Sequence, residues 1–360
     1  MLILDDNDTR NALPFPGLIA ALRAMFISGC AAPPRHHHDV QVPGEPNGTL
    51  LLMPAWLPGR YMGLKQVSVF PGNAARGLPS IFGSYLLSSA VTGELLAIID
   101  GGELTARRTA AASALAASCL ARKDASVMLM TGTGRLSANL IEAHKSVLPL
   151  RKVFVWGRDP DKAAAIARHA ETLGLEAIAT GDLEAAARQA DLISCATLST
   201  QPLIHGDWLK PGAHLDLVGA FKPTMRETDD RCVSRATCFV DTRAGALSEG
   251  GDVVQAIAAG VITADSIAAD LADQIGEDGE GGDDRDFGLR AGFEHGRRQH
   301  GKAIEESTPA RAPFPSPLRG GARGGGREQI RALHPHASRC RRFGKARNAP
   351  PARPNTSETK

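Results

Sequence analysis

A glycine-rich turn at residues 132–137 is the feature of this sequence with the clearest chemical meaning. An apolar run, residues 128–131, ends in Gly132-Thr-Gly134-Arg-Leu-Ser137, and a helix-like pattern follows. In a dinucleotide-binding loop the first glycine makes a tight turn, the second lets the backbone approach a pyrophosphate, and a small third residue lets the helix pack on the strand. The helix N-terminus then offers unpaired N–H groups to the phosphates. The spacing therefore predicts a dinucleotide site.

The end of the next predicted strand, residues 152–156, bears on which dinucleotide is bound. NAD sites usually place an acid there to hold the ribose 2′-hydroxyl. Here Gly157 and Arg158 follow the strand. An arginine suits a 2′-phosphate, so the sequence favours NADP(H), with NAD(H) as the alternative. In that alternative Arg158 only caps a solvated turn, and Asp159 accepts the ribose.

Basic residues in the first third of the chain form a second candidate group. Lys65 lies inside a predicted strand, and Arg107 and Arg108 begin an Ala-rich helical segment. Because burying a bare charge is costly, a lysine in an apolar strand must be paired or functional. A substrate anion is the favoured partner of Lys65, and a structural ion pair is the alternative. In the alternative interpretation, one of the two arginines is exposed to solvent and has no role in binding.

Other residue types point away from several functions. His36, His37 and His38 are consecutive, so they cannot share one face of a strand, and a metal site is not expected. The six cysteines are scattered without a Cys-x-x-Cys pair, which favours reduced thiols and a cytoplasmic location. No apolar run reaches the length of about 18 residues that a membrane span needs. The first ten residues carry acids where a signal peptide carries bases, so no such peptide is expected.

The elements that must position these residues change character near residue 125. Before it, short β-like runs accompany a helix at residues 15–29 and an Ala-rich helix at residues 103–121. From there to about residue 245, strand-like and helical runs alternate, which predicts a mostly parallel sheet covered by helices on both faces. Residues 252–275 are predicted to form one or two further helices.

The C-terminal region follows other composition rules. Residues 283–360 hold 17 Lys and Arg residues against eight Asp and Glu residues, whereas the whole chain has a net charge of only +2. Low-complexity stretches rich in Arg, Pro and Gly predict disorder from about residue 276. A basic tail can attract nucleic acid, but the tail has no interleaved aromatic residues, and nucleic-acid binding is not expected.

Several longer stretches resemble the ornithine cyclodeaminase/mu-crystallin family, across about residues 10–275. They are LLMPAW, MGLKQVSVFPGN, TGELLAIIDGGELTARRTAAASALAA, the GTG loop, VWGR, ADLISCATLST, LDLVGAFKP and FVDTRAGALSEGGD. The resemblance implies an α/β protein with a Rossmann-type parallel-sheet domain, residues 123–251. Beside it lies an α+β domain, residues 1–122, that binds substrate and forms a homodimer, with residues 252–275 packing near it.

The resemblance also implies roles for particular residues. Arg35, Lys65 and Arg108 would grip a substrate carboxylate, and Ser84, a threonine in relatives, would line the pocket. The residues implied to hold the dinucleotide are Gly132, Thr133, Gly134, Arg135, Leu136, Arg158 and Thr197.

Residues 219–227 bear on the reaction. Cyclodeaminases of the family carry a catalytic Asp in a stretch resembling GGDxPGKTE, and here Phe221 occupies the place of that acid. A phenylalanine suits an apolar cyclic imine. The chain is therefore similar to the branch that reduces Δ1-pyrroline-2-carboxylate to L-proline and Δ1-piperideine-2-carboxylate to L-pipecolate with NAD(P)H, Lys65 being the candidate proton donor. The alternatives are an ornithine cyclodeaminase, which converts L-ornithine to L-proline and ammonia, and a non-catalytic mu-crystallin-like binding protein or inactive remnant.

The resemblance breaks near residue 285. Relatives close with a segment like DEITLFKSVGxALEDLAAAKLV, and this chain has DDRDFGLRAGFEHGRRQHGK. With permissible codons, residues 285–302 read one nucleotide later give EISVFERASSMEDVNMAK, which matches the missing segment. We hypothesise a frameshift before Arg285. The loss of a terminal segment that covers the first domain would expose apolar surface and weaken folding and assembly.

Overall fold

The first part of the chain builds a six-stranded sheet in the computed structural model, which describes residues 1–276 and 288–291. Its strands are β1 (Leu2–Leu4), β2 (His36–Val40), β3 (Gly48–Trp56), β4 (Tyr61–Val69), β5 (Ile81–Ser89) and β6 (Leu95–Asp100). The spatial order is β1-β6-β5-β4-β3-β2, antiparallel throughout except for the β1–β6 pair. The helices of this part are α1 (Asp6–Ala12), α2 (Phe15–Ser28) and α3 (Gly101–Leu120).

The second part builds an eight-stranded, wholly parallel sheet. Its strands are β7 (Val127–Thr131), β8 (Lys152–Trp156), β9 (Glu176–Ala179), β10 (Leu192–Cys195), β11 (His214–Leu217), β12 (Thr237–Val240), β13 (Ile267–Asp270) and β14 (Gly288–Ala291). The helices are α4 (Arg135–Lys145), α5 (Pro160–Thr172), α6 (Leu183–Ala187), α7 (Asp230–Arg235), α8 (Arg243–Ser248), α9 (Gly251–Ala258) and α10 (Leu271–Gly276). Short 3₁₀ turns lie at Pro71–Arg76, Gly206–Trp208 and Ala264–Ser266.

The strand order of the second sheet confirms the predicted Rossmann-type fold. The order is β13-β12-β14-β11-β10-β7-β8-β9, so the chain runs outward from β7 to β9 and then returns to start again at β10 on the other side of β7. The connections after β7 and after β10 therefore leave the sheet in opposite directions. A crevice opens between them at the carboxyl ends of the strands, and this is where doubly wound folds bind dinucleotides.

Helix α3 connects the two sheets. Its alanines are almost all buried, and they pack in one apolar cluster with Met128 and Met130 of β7 and Leu140 of α4. Alanine is a strong helix former with a one-carbon side chain, so it permits close approach on every face of the helix. The predicted helix at residues 103–121 is thus confirmed, two residues longer at its start. It places its N-terminal half at the boundary of both sheets.

Two segments differ from the sequence expectation. Residues 252–275, predicted to be helical, contain the strand β13, which pairs with β12. A run of four residues is too short for its periodicity to distinguish a strand from a helix. The segment becomes a strand because it pairs with the edge of β12. Residues 288–291, in the segment predicted to be disordered, form β14 between β11 and β12. The rest of the predicted tail lies outside the described residues.

No helix among the described residues is by itself long and apolar enough to cross a membrane. Helices α1 and α2 reach that length and composition only when taken together, and they are bent by 71° relative to each other.

Candidate dinucleotide and carboxylate site

The loop after β7 has the geometry of a phosphate cradle. Gly132 has a φ of +117°, which side-chain-bearing residues rarely adopt, and a Cβ there would lie 2.6 Å from the Ala196 carbonyl oxygen. The Ser137 hydroxyl donates a 2.9 Å hydrogen bond to the Gly132 carbonyl oxygen and so closes the loop. Gly134 caps α4 with open space around it, and it has no side chain that could accept from the N–H groups of that helix end. These donors fit a pyrophosphate.

Two residues expected to hold the dinucleotide have other partners as well. The Arg135 guanidinium lies 3.7 Å from the Asp100 carboxylate and 3.8 Å from that of Glu103, both at the start of α3. Leu136 packs against the apolar cluster under α4. Arg135 therefore links the cofactor loop to the first sheet, and Leu136 anchors the loop to the core.

The end of β8 has no room for the acid typical of an NAD site. A Cβ on Gly157 would lie 2.5 Å from the Thr133 methyl carbon, so Thr133 fills that space. Asp159 accepts hydrogen bonds from the N–H groups of Asp161 and Lys162 and thereby caps α5. Those bonds lower the pKa of the Asp159 carboxyl. Arg158 is exposed beside this cap.

The structure brings Arg35, Lys65 and Arg108 together. Lys65 is half-buried in the middle of β4, opposite Met53 of β3 and Tyr85 of β5. Burial and the positive charges of Arg108 and Arg35 lower the pKa of its ammonium to about 8. Three cations within electrostatic reach form a site for an anion, and paired guanidinium groups suit a carboxylate.

Arg35 is held from across the cleft. Its Nη2 lies 3.2 Å from Oε1 of Glu249, which follows α8 beside the parallel sheet. A guanidinium has five N–H donors in a planar fork, a shape that matches a carboxylate. The Arg35–Glu249 and Arg135–Asp100 pairs thus tie the two sheets together on either side of the cleft.

The two adjacent arginines of α3 have opposite environments. Arg107 is 2% exposed; its Nε donates to the Leu13 carbonyl oxygen, its guanidinium pairs with Glu142 at 3.3 Å, and it stacks on the Phe15 ring. The expectation that one of the pair is merely solvated is wrong for Arg107, because successive helix residues point about 100° apart and Arg107 points into the core. Arg108 points towards Lys65.

Ser84, expected to line the substrate pocket, lies on the other face of the sheet from Lys65. It pairs in register with Gln66 of β4 and Asp100 of β6, next to the Tyr85 that pairs with Lys65, and successive strand residues point to opposite faces. Its side chain is exposed. A Cβ on Gly101 would lie 2.4 Å from the Gly83 carbonyl carbon. This backbone contact brings the start of α3, which carries Arg108 two turns later, directly against the strand of Ser84.

Phe221 and Thr197 follow β11 and β10, on the other side of the crevice. Phe221 is 46% exposed, with the Lys222 ammonium 5.7 Å from its ring centroid. The Thr197 hydroxyl donates to the Glu227 carboxylate at 2.7 Å and accepts from the Ser199 N–H, so its hydrogen bonds run within the protein.

Acidic residues around the site were not predicted from the sequence. Glu249 holds Arg35, and Glu227 and Asp252 are fully buried behind the loops of Thr197 and Phe221. The rule that singled out Lys65, a charge inside an apolar strand, does not find them, since Glu227 lies between Arg226 and Thr228 in a loop. The described residues contain no group of three or more His, Cys, Asp or Glu side chains placed to hold a metal ion.

A parallel sheet with a glycine cradle at its switch point is the arrangement with which doubly wound proteins bind dinucleotides. The model of the ornithine cyclodeaminase/mu-crystallin family matches residues 17–285, and the chain belongs to that family.

Three relatives show what the chain is similar to. It is 41% identical to a Δ1-pyrroline-2-carboxylate reductase of Paracoccus denitrificans, over 76% of this chain and 85% of the relative. It is 33% identical to ketimine reductase mu-crystallin of Mus musculus, over 70% and 80%. Among solved structures, Thermococcus litoralis Δ1-pyrroline-2-carboxylate reductase, in complex with NADH and L-proline, superposes with a TM-score of 0.72 at 30% identity, covering 81% of this chain and 91% of that one.

Proposed function

We propose that this chain is an NAD(P)H-dependent oxidoreductase that reduces the C=N bond of a small cyclic imino acid. The substrates are Δ1-pyrroline-2-carboxylate, reduced to L-proline, and Δ1-piperideine-2-carboxylate, reduced to L-pipecolate. The observation that carries the proposal is the grouping of Arg35, Lys65 and Arg108, together with Phe221 rather than an acid at position 221 after β11. The names of two similar proteins, a pyrroline-carboxylate reductase and a ketimine reductase, agree with it.

The cationic cluster would fix the substrate by its carboxylate. Arg35 and Arg108 supply guanidinium donors beside the Lys65 ammonium. A clamped carboxylate leaves the adjacent imine carbon with little freedom to turn. Much of the rate of such a reaction comes from this positioning. Phe221 would offer the ring methylenes an apolar neighbour.

Lys65 would supply the proton. A nicotinamide held at the crevice supplies the hydride that adds to the imine carbon. The ring nitrogen must gain a proton in the same reaction, and the Lys65 ammonium is a donor whose pKa, about 8, lies close to neutral pH. An acid with a pKa near the working pH transfers its proton most effectively. The same ammonium stabilises the substrate carboxylate.

The residues around the crevice favour NADP(H) over NAD(H). The glycine cradle fits the pyrophosphate of either dinucleotide. Gly157 has no space for an acidic side chain, and the Asp159 carboxylate already caps α5. Arg158, exposed at the same strand end, is the residue that would pair with a 2′-phosphate.

A paired assay tests the reaction. NADPH and NADH oxidation are followed with Δ1-piperideine-2-carboxylate and Δ1-pyrroline-2-carboxylate, and proline formation from L-ornithine is followed in parallel. We expect reductant consumption with the imines and no proline from ornithine. Proline formed from ornithine without reductant consumption would instead identify a cyclodeaminase. A folded protein that is silent in both assays would identify a binding protein or remnant.

The proposal extends to assembly and location. Residues 1–122 would bind substrate and form a homodimer, and residues 123–251 would bind the dinucleotide. The edge strand β1 supports a dimer, because Leu2 and Ile3 are 63% and 70% exposed on it. Sedimentation velocity gives the mass of the assembly directly. The free cysteines of the described part suit a reducing compartment such as the cytoplasm.

A further inference from the structure

Two fully buried carboxylates, Glu227 and Asp252, lie behind the crevice and take no part in the proposed reaction. Glu227 lies in the loop between β11 and α7, and Asp252 lies in the first turn of α9. Buried acids are costly unless they are hydrogen-bonded, so their contacts indicate what they do.

The Glu227 carboxylate joins two loops that leave neighbouring strands. Its Oε1 accepts 2.7 Å hydrogen bonds from both the N–H and the hydroxyl of Thr197, just after β10. Its Oε2 accepts a 2.8 Å hydrogen bond from the N–H of Gly219, just after β11. One side chain thus fixes the distance between the β10 and β11 loops.

Asp252 fixes Glu227 from behind. Its Oδ1 accepts from the N–H of Glu227 at 3.1 Å, from the N–H of Thr228 at 2.8 Å and from the Thr228 hydroxyl at 2.6 Å. The preceding Gly251 has no space for a side chain, since a Cβ would lie 2.0 Å from the Met225 carbonyl oxygen. The backbone that carries Glu227 is therefore held rigidly.

The β10 and β11 loops lie so close together that a side chain at position 219 has no space. A Cβ on Gly219 would lie 2.3 Å from the Thr197 carbonyl oxygen and 2.5 Å from Glu227 Oε1. A glutamine at 227 would turn an NH₂ group towards an N–H donor, and an aspartate would be one methylene too short. A glutamate is thus the side chain that meets all three donors.

The β10 and β11 loops border one half of the crevice. When the pyrophosphate of a dinucleotide lies on the Gly132 cradle, the nicotinamide half would lie in that part of the crevice. In doubly wound folds the cofactor crosses the switch point, so its second half lies over the strand on the far side, here β10. Resting on the proposed function, we propose that Glu227 is a positioning residue for the nicotinamide half of the site. By holding Thr197 and Gly219 together, it sets where the ring lies and where Phe221 faces the substrate.

The ionisation of Glu227 gives this support a pH dependence. Burial and the Asp252 carboxylate raise its pKa to about 8, although the bonds from Thr197 and Gly219 oppose the rise. Asp252 also has a raised pKa through burial, and the buried Cys195 thiol lies close enough to Glu227 for its own pKa to be raised. The carboxylate accepts all three bonds best when ionised.

The test compares Glu227→Gln and Glu227→Asp with a matched control. Asp191→Asn alters another buried carboxylate of the same sheet, which accepts from the N–H groups of Ser126 and Val127 at the opposite ends of the strands. Each variant is assayed for thermal midpoint, for NADPH and NADH affinity by fluorescence titration, and for kcat and KM. The titrations are run at pH 9, above the pKa of about 8 of the Glu227 carboxyl. There we expect Glu227→Gln to weaken dinucleotide binding by about 10- to 100-fold, the value of hydrogen bonds to a charged group. Glu227→Asp should restore part of the loss, and Asp191→Asn should lower only the thermal midpoint.

Thr228→Val keeps the test decisive if Glu227→Gln folds poorly. It removes the hydroxyl that donates to Asp252 behind Glu227, keeps the shape, lies outside the residues expected to hold the dinucleotide, and should weaken dinucleotide binding by a smaller factor. Wild-type dinucleotide affinity in Glu227→Gln or in Thr228→Val, with only the thermal midpoint lowered, would overturn the proposal. Fluorescence titration measures dinucleotide affinity even if the wild-type chain reduces neither imine. A wild-type chain that reduces neither imine would overturn the proposed function, and the test of Glu227 would still be valid.

Discussion

At the scale of single residues, the chemistry depends on where three positive charges meet. Arg35, Lys65 and Arg108 are each ordinary in the sequence, and together they lower the pKa of the lysine. A lysine with a depressed pKa releases its proton more readily than a solvated one. This coupling makes the site both an anion clamp and an acid, and two predictions follow at this scale.

The pH profile of the reaction should report Lys65. In the free protein its ammonium loses its proton as the pH rises through about 8. Because the protonated form is the donor, we expect kcat/KM to fall above about pH 8. A bound carboxylate stabilises the ammonium, so the alkaline limb of kcat should lie at higher pH. Steady-state rates from pH 6 to 10 measure both limbs.

Lys65→Arg is the matched variant for that profile. It keeps the positive charge but has no acid that titrates in this range, so kcat should drop by about 10²- to 10⁴-fold, the usual contribution of a general acid. Its alkaline limb should vanish. An unchanged limb in Lys65→Arg would assign the titration to another group.

Cofactor choice should depend on Arg158. Arg158→Leu removes the cation that would pair with a 2′-phosphate, so we expect KM for NADPH to rise by about 10- to 100-fold, with KM for NADH little changed. Arg168→Leu is the control, since it removes an exposed arginine further along α5. Equal effects on both dinucleotides in Arg158→Leu would contradict a role in 2′-phosphate recognition.

At the scale of elements, helix α3 organises the site. Its alanines pack against α2, α4 and β7, its N-cap acid Asp100 meets Arg135 of the cofactor loop, and the charge of Arg108 acts on Lys65. The sequence predicted this helix and its arginines. Which arginine turns inward depends on the rotation of the helix against α2 and α4, and that rotation is set by packing rather than by local propensity.

Neighbouring substitutions on α3 should separate stability from binding. Arg107→Met leaves the Leu13 carbonyl oxygen and the partly exposed Glu142 without their partner, so the free energy of unfolding should fall by about 1 to 3 kcal/mol, the cost of a buried polar group that loses its hydrogen bond. Arg108→Met should keep the thermal midpoint and raise KM for the imine. Denaturant titration and steady-state kinetics on both proteins check this. A KM effect in Arg107→Met with unchanged stability would reverse the two assignments.

At the scale of the whole molecule, two sheets meet around one cleft, and the family match ends at residue 285. That is also where the hypothesised change of reading frame begins. Residues 1–276 contain every residue named in the candidate site, but β14 pairs with both β11 and β12, so the sheet that carries the β11 loop includes part of the segment beyond.

Sequencing the source DNA around codon 285 tests the frame hypothesis. We expect the codons of residues 285–302, read one nucleotide later, to encode EISVFERASSMEDVNMAK. A second measurement compares the chain with a version restored to that frame, which should have a higher thermal midpoint because the returning segment covers apolar surface. Codons that encode an unrelated sequence in the second frame would end the hypothesis.

The sequence by itself determined the alternating strands and helices, the glycine loop and the cationic residues. These depend on local patterns: apolar period, turn residues, and charges placed among apolar neighbours. It could not separate β13 from a helix, because a four-residue run has too short a period. It also did not predict the carboxylates Glu227, Asp252 and Glu249.

Only the tertiary structure decided which of these residues meet. Arg35 and Glu249 lie 214 positions apart in the chain, and their contact exists because α3 brings the two sheets together. Arg107 and Arg108 are adjacent in sequence and separated in space by the turn of the helix. Local sequence sets the elements, but a site formed between two sheets depends on long-range packing, which no local pattern encodes.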